Sequence, residues 1–497
     1  MLILQLAIFS ALFIILRVAP IWNQRHRGCD AYFFMLCAET LRTRFKIPVT
    51  LPRLYLLEPQ EQWYPPLFMV FLSFFPQNLL KKYYWLINHL LDLVVAIGFF
   101  VFVNHFAGPI GAWLFGLLYA CDNSLVVEYQ NLTSRPLSAI LLFAFMACAM
   151  TATTNGPPWF FAALALGILL FYTHKMALQL LWFILPVLSI TTGKLSWVAL
   201  LGAIYVGAFL LHPSLFIKVV RAHWDIVSFF NRRWPWLNAH LIRNSPIYGD
   251  GRPTGFFNEL LHGSTLAFLR DKFSSSLWAV MIAAAYPFSD ESGFTPLVIF
   301  VAGTMAWALL TLLVPQLRCV GEGSKYLKYA TPVALALASI YTVQAPWLWL
   351  IMLPLALRQI RNYALAYRAL RAQAGNSGIQ SATLLSMLSY LKEHRGNVMC
   401  IPLHLSDSVA YFARCGVLWG AHGYGFNSTL YPIYPVLLKT IEQCTADYEL
   451  DYLLLDTRYA SLAELRLNSM TPEATFGPLQ LFRFDPASRH DQEAACG

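Results

Sequence analysis

The run Arg25-His26-Arg27-Gly28-Cys29-Asp30-Ala31-Tyr32 places a carboxylate, Asp30, shortly after a long apolar stretch at 2–21. A stretch of that length can cross a bilayer, so Asp30 is expected within about two helical turns of the membrane surface, at the mouth of a helix bundle and outside the lipid. A carboxylate held there can take a proton from a group presented at the surface, which is the task of a general base. Further on, Glu61-Gln62-Trp63-Tyr64-Pro65-Pro66-Leu67 supplies two aromatic side chains, Trp63 and Tyr64, ahead of a rigid Pro-Pro turn. The competing reading of Asp30 is a helix cap, because 30–45 has helical spacing and a side-chain oxygen at its start would satisfy free backbone N–H groups. Tyr32, Phe33, Leu36, Cys37 and Leu41 fall on one side of that helix, which is expected to lie along the membrane surface.

These residues need membrane helices to hold them. Of the 497 residues 58% are hydrophobic and 12% charged, against roughly 45–50% and about 25% in soluble domains, so the chain reads as an integral membrane protein. Apolar stretches of spanning or near-spanning length fall at 2–21, 84–103, 109–120, 136–152, 157–172, 176–190, 195–211, 277–288, 294–315, 332–343 and 347–357. They predict a polytopic α-helical membrane protein of about eleven transmembrane helices with a C-terminal soluble α/β domain. The first segment is expected to be retained, since no small-residue cleavage signal follows it.

The membrane part is read as 1–357, with a first loop at 22–83 and a long loop at 214–276. A basic amphipathic helix at 358–379 would lie on anionic headgroups, and a soluble α/β domain at 380–487 precedes a polar tail at 488–497 that is expected to be disordered. Within that domain, 398–401, 417–419, 452–455 and 479–482 read as strands and 406–414 as a helix with Ser406 as its N-cap. The nine cysteines show no CxxC or other metal-like spacing, and one disulfide among Cys400, Cys415 and Cys444 is an open option if the domain lies outside the cytoplasm. Nearly all loop length and charge fall on the Asp30 face. The positive-inside rule would put that face in the cytoplasm, whereas cations serving a polyanionic ligand explain the same bias, so charge alone leaves orientation open.

A first span, an acidic residue followed by a tyrosine and an amphipathic helix, and the Tyr64-Pro65-Pro66-Leu67 turn back to the membrane resemble the GT-C glycosyltransferases. These are polytopic enzymes related to the protein O-mannosyltransferases and the lipid A aminoarabinose transferases. The resemblance covers 1–357 in layout. It implies a polyprenyl-phosphate-linked sugar donor, a lipid, glycan or protein acceptor, and chemistry facing the periplasm or exterior of a bacterial inner (plasma) membrane. Asp30 would be the base, with Tyr32, Trp63 and Tyr64 binding donor or acceptor. The family often carries an acidic residue on the turn after the third span, where Asp122-Asn123-Ser124-Leu125-Val126-Val127-Glu128-Tyr129 offers Glu128 or Asp122. Glu128 is taken as the second catalytic carboxylate, which would orient the acceptor or hold a divalent metal ion, the one cofactor left open. The patch Arg318-Cys319-Val320-Gly321-Glu322-Gly323-Ser324-Lys325-Tyr326 resembles the family's Arg-Tyr element near the donor phosphate. Arg318, Glu322, Lys325 and Tyr326 become donor-site candidates, although Lys325 puts a point charge where a bidentate arginine is common. Lys175 is a second phosphate lysine, and either lysine could instead snorkel to headgroups.

The chemistry divides these roles. A sugar on a phosphate already has a good leaving group, so cations must neutralise the departing phosphate, while the acceptor hydroxyl needs a base. A single displacement would invert the anomeric centre. In the long loop, Trp224, Phe229, Phe230, Trp234 and Trp236 interleave with Arg232, Arg233, Arg243 and Arg252, a composition that fits sugar stacking and an interfacial anchor equally. The rival functions are a membrane transporter or lipid-linked oligosaccharide flippase, which would carry charge deep in broken spans, and a non-enzymatic scaffold. Nothing points to nucleic acid.

Overall fold

The structure, a computed structural model, describes residues 1–24, 29–57, 61–233, 247–248, 282, 292–321, 323–373, 382–420, 427, 433, 436–467 and 470–484. Its helices are α1 (Leu2–Val18), α2 (Cys29–Thr43), α3 (Leu67–Ser73), α4 (Gln77–Ala120), α5 (Asn123–Glu128), α6 (Arg135–Asn155) and α7 (Pro157–Phe171). They continue with α8 (Lys175–Thr192), α9 (Ser196–Leu211), α10 (Pro213–Arg233), α11 (Thr295–Leu313), α12 (Gly323–Gln344), α13 (Trp349–Gln373), α14 (Ala382–Glu393) and α15 (Ile441–Tyr448). The chain divides into two compact units. One comprises Met1–Arg25, Lys82–Ile217 and Ser264–Asn376; the other comprises His26–Lys81, Lys218–Gly263 and Ser377–Gly497. The linear boundaries at 357 and 380 miss this grouping, because hydropathy reads contiguous segments and cannot see which loops return to the same core.

In the first unit the polytopic helical architecture stands. Among the described residues five helices are long and apolar enough to cross a membrane, and a pair bent by 119°, Lys325–Gln344 with Pro346–Ala372, brings the number up to six. α7 and α9 are shorter apolar helices. The stretches at 84–103 and 109–120 form the two limbs of α4, joined at Gly108, whose φ of 63° and ψ of −169° suit only glycine. α6 opens with Pro136 in its first turn and stops at Gly156, the usual asymmetry of helix ends. The basic run expected as a separate helix at 358–379 instead continues the last apolar segment as α13, with Arg358, Arg361, Arg368 and Arg371 exposed. The expected crossing at 277–288 lies outside the described residues except for Ile282.

The second unit is built on a sheet of β1 (Asn397–Ile401), β2 (Gly416–Val417), β3 (Tyr452–Asp456), β4 (Ala474–Phe476) and β5 (Leu479–Arg483), in the order β2-β1-β3-β5-β4. β1 runs parallel to β2 and β3, whereas β5 is antiparallel to β3 and β4. Its core joins Met399, Leu453, Leu455 and Phe482 to Ile226 and Phe229 of α10. Burying each such side chain contributes roughly 1.5–3 kcal/mol. The first loop extends the sheet at β2: Val417 N–H donates to the Leu54 carbonyl at 2.8 Å, and Leu56 N–H donates to the Val417 carbonyl at 2.9 Å. A strand edge that would otherwise be open is thereby paired.

Three details depart from the sequence reading. Ser406 is the first residue of a short helical turn, with Leu405 at the N-cap position and no side-chain cap, and the expected helix widens into a π turn at Val409–Ala413 that Arg414 ends at φ 57°. Cys400, Cys415 and Cys444 are buried and not joined in disulfides, and burial pushes the Cys400 thiol up to about 12. Finally, α2 does not keep one face for lipid: Ala31 through Ala38 are all buried. Tyr32 stacks on Tyr411 at 5.7 Å, Phe34 meets Phe68 edge-on at 5.1 Å, and Glu39 takes two hydrogen bonds from Arg414 at 2.8 and 2.9 Å. Helical spacing identifies an apolar face but cannot distinguish protein from lipid as its partner.

Candidate active site

In the first unit the turn after α4 separates its two acidic residues. Asp122 is the N-cap of α5, its carboxylate accepting from the backbone N–H groups of Ser124 at 3.0 Å and Leu125 at 3.1 Å. It is a structural cap, and Glu128 at the end of α5 is the carboxylate that faces cations. Glu128 pairs with Arg135 from the first turn of α6 and with Lys328 from α12. Lys175, the first residue of α8, lies near Lys325 and Arg135. Four basic side chains therefore gather in one region, two of them paired with Glu128.

The N-terminal turns that carry these cations are tied together. The Tyr329 hydroxyl lies 2.9 Å from Ser138 Oγ on α6 and 3.2 Å from His174 Nδ1 at the cap of α8. Three helix N-termini thus meet at one phenol, and each contributes a partial positive charge to the same region. Anions collect at such places even without lysines. Tyr326 holds α12 as well, its hydroxyl lying 2.9 Å from Gln179 Oε1 and 2.8 Å from the Val320 carbonyl. Its side chain is fully buried, with 0% exposure.

Buried donors on three helices hold the end of α4 and the connection that bears Glu128. Arg17 of α1 donates to the carbonyls of Tyr119 and Asp122, both at 2.9 Å, and pairs with Asp92 of α4 at 3.2 Å. Asn88 donates to the Asn131 carbonyl, and Gln359 of α13 donates to the Leu118 carbonyl at 2.5 Å. The charge seen in the sequence at one membrane face is thus joined by a fully buried pair, Arg17 and Asp92, which averages over whole spans conceal. Arg135, Lys328, Tyr329 and Arg17 were not singled out in the sequence. For Lys328 and Tyr329 a signal existed, since each lies three residues along the helix from a chosen residue.

The remaining candidates fall in different places. In the second unit Asp30 is the second residue of α2, one place past the start of the helix, and its side chain lies outside the described residues. Tyr32 is 1% exposed and packs α2 against Tyr411 and Phe412, so its ring is closed to a ligand. Trp63 and Tyr64 are half-buried, with Tyr64 edge-on to Phe34 at 5.4 Å. Beside them Glu61 pairs with Lys218 and Lys46, and the Lys218 ammonium holds its carboxyl below the usual range. In the first unit Arg318 sits in a 3-10 turn at Pro315–Val320 with its side chain outside the described residues, and Glu322 lies outside them altogether.

No family model and no curated protein matches the sequence. Solved structures do match the fold. The oligosaccharyltransferase AglB of Archaeoglobus fulgidus, in complex with an inhibitory peptide and a dolichol-phosphate, superposes with a TM-score of 0.59 at 11% identity, covering 91% of this chain and 69% of its own. ArnT of Cupriavidus metallidurans, bound to undecaprenyl phosphate, gives a TM-score of 0.54 at 12% identity, covering 97% of this chain and 98% of its own. The chain has the GT-C fold. Within this GT-C fold the cation cluster occupies helix N-termini of the membrane-spanning unit, and the sheet-bearing unit carries Asp30, Trp63 and Tyr64. A divalent ion does not fit Glu128, whose carboxylate already faces two cations. Among the described residues no three His, Cys, Asp or Glu side chains converge as metal ligands.

Proposed function

We propose that the protein is a glycosyltransferase that moves a sugar from a polyprenyl-phosphate-linked donor to a lipid, glycan or protein acceptor at the extracytoplasmic face of a bacterial inner membrane. The observation that carries this reading is the gathering of Arg135, Lys175, Lys325 and Lys328 at three joined helix N-termini in a GT-C fold. Glu128 neutralises part of that charge and holds two of the cations in place. The surplus suits a phosphate that gains negative charge as the glycosidic bond breaks, and each charge-assisted hydrogen bond to it contributes about 1.5–3 kcal/mol.

Asp30 is the base in this reading. It takes the acceptor proton as the acceptor oxygen attacks the anomeric carbon, and the phosphate leaves with the bonding pair, so the anomeric centre inverts. Trp63 and Tyr64 offer aromatic surface to donor or acceptor, and Arg318 and Glu322 are further donor-site candidates. The transporter and flippase readings need charge deep in the spans. The buried Arg17–Asp92 pair is the nearest match, but its guanidinium is committed to two backbone carbonyls.

The test is transfer from a radiolabelled polyprenyl-phosphate sugar by the purified protein, with the lipid-linked sugar that copurifies identified by mass spectrometry. Asp30→Asn is expected to lower transfer by roughly 10²–10⁴-fold while polyprenyl-phosphate binding persists. Undiminished transfer by that variant would remove Asp30 as the base.

A further inference from the structure

α10 buries one face and exposes a second apolar face. Val219, Ala222, Ile226 and Phe229 are buried, and the last two belong to the core of the sheet-bearing unit. On the other side Ile217, Val220 and Trp224 are 41%, 38% and 73% exposed. Their spacing of three and four residues puts them in one stripe along the helix. A helix packed on a soluble core normally shows a polar face outward, so this stripe has a partner to find.

The residues around the stripe indicate which partner. Arg221 and Arg232 are exposed on the same helix. Lys218 is engaged with Glu61, and Asp225 accepts hydrogen bonds from Asn427 Nδ2 at 3.2 Å and Asn427 N–H at 3.3 Å, so the helix's acidic group is turned to its own unit. What α10 shows outward is therefore apolar and cationic. Chain connection adds a location. α9, a helix of lipid-compatible composition, ends with Phe209, Leu210 and Leu211 exposed, and only His212 separates it from α10. His212 Nδ1 accepts from the Leu215 N–H at 3.2 Å, so α10 starts at once. A helix beginning where a membrane helix ends, with tryptophan between arginines, has the composition of an interfacial anchor.

We propose that the outward stripe of α10 seats in the bilayer interface, with Ile217, Val220 and Trp224 at headgroup depth and Arg221 and Arg232 on the phosphates of anionic lipids. This site is separate from the transferase reading and does not depend on it.

The full-length protein is reconstituted in nanodiscs, and the emission of Trp224 is obtained as the difference between wild type and Trp224→Phe; Trp224→Tyr gives the same difference should the phenylalanine variant purify poorly. Expected is a blue-shifted emission that loses most of its intensity with lipid brominated high in the chain and little with aqueous iodide. Adding anionic lipid should deepen the quenching, and Arg221→Gln with Arg232→Gln should abolish that increment. Emission of a water-exposed indole, quenched by iodide and indifferent to brominated lipid, overturns the proposal and leaves the stripe to a soluble partner or a glycan. Anionic-lipid dependence unchanged in the arginine variant overturns the headgroup contacts.

Discussion

Glu128 shows how a candidate carboxylate changes meaning once its neighbours are known. Paired with Arg135 and Lys328, it is placed to fix two cations. The sign of its effect can be tested. Removing the negative charge with Glu128→Gln should tighten binding of a polyprenyl phosphate, because the phosphate no longer competes with a fixed anion, while transfer falls. Lys328→Met should weaken the same binding by about tenfold, or about 1.4 kcal/mol. Titration of the two variants with the lipid in detergent decides both, and weaker binding by Glu128→Gln would count against a phosphate at this cluster. Glu61 permits a second test at this scale. Its folded-state pKa lies below the ordinary value because Lys218 favours the ionised form. The ion pair therefore contributes stability that is present above the unfolded-state value and is lost as pH falls through the lower, folded-state value. The melting temperatures of wild type and Glu61→Gln should accordingly converge on acidification below about 4.5 and separate at neutral pH, with a small gap because the pair is partly exposed.

Among the elements, the α4–α6 connection is held with unusual economy of motion. Arg17 reaches from α1 to the carbonyls of Tyr119 at the end of α4 and Asp122 in the connection, and to Asp92, so its loss would leave the buried Asp92 carboxylate without its counterion. Arg17→Met should destabilise the protein by about 3–5 kcal/mol, whereas Arg17→Met with Asp92→Leu should recover much of that loss. Thermal unfolding in detergent measures the pair, and equal damage in both variants would mean that the carbonyl contacts dominate. None of this was legible in the chain. A lone arginine near the end of an apolar stretch reads as a flank of the span, and an aspartate far along the sequence gives no hint that it is the counterion. The strands of the sheet were legible, since 398–401 and 452–455 are continuous apolar runs and 479–482 is apolar but for Gln480, and they appear as β1, β3 and β5. β4 was not, because its three residues carry too little pattern to separate a strand from a turn.

For the whole molecule, three distant stretches make one unit. The first loop completes the edge of the C-terminal sheet, and Tyr55 donates to the buried Asp407 at 2.9 Å. A chain ended at Asn376 should therefore keep its apolar helices yet lose protection of the first loop against protease, most of all at 50–57. Limited proteolysis of the shortened and full-length proteins in detergent checks this, and equal resistance would show that the loop is stable without the sheet.

The sequence alone determined what local chemistry can express: a polytopic helical chain, from the length and purity of its apolar stretches; an acidic residue opening a helix after the first span; an α/β module, from short buried strands; and enough of a first-loop pattern to suggest the GT-C fold. Only the tertiary structure decided that Asp122 caps while Glu128 pairs, that Tyr32 and Tyr326 are sealed in packing, that Tyr329 joins three helix N-termini, and that the first loop belongs to the C-terminal sheet. The reason is range. Span length, periodicity and capping are set by residues within a few turns of one another, whereas charge pairing and strand addition join groups such as Glu128 and Lys328, or Leu54 and Val417, whose separation along the chain leaves no periodic trace.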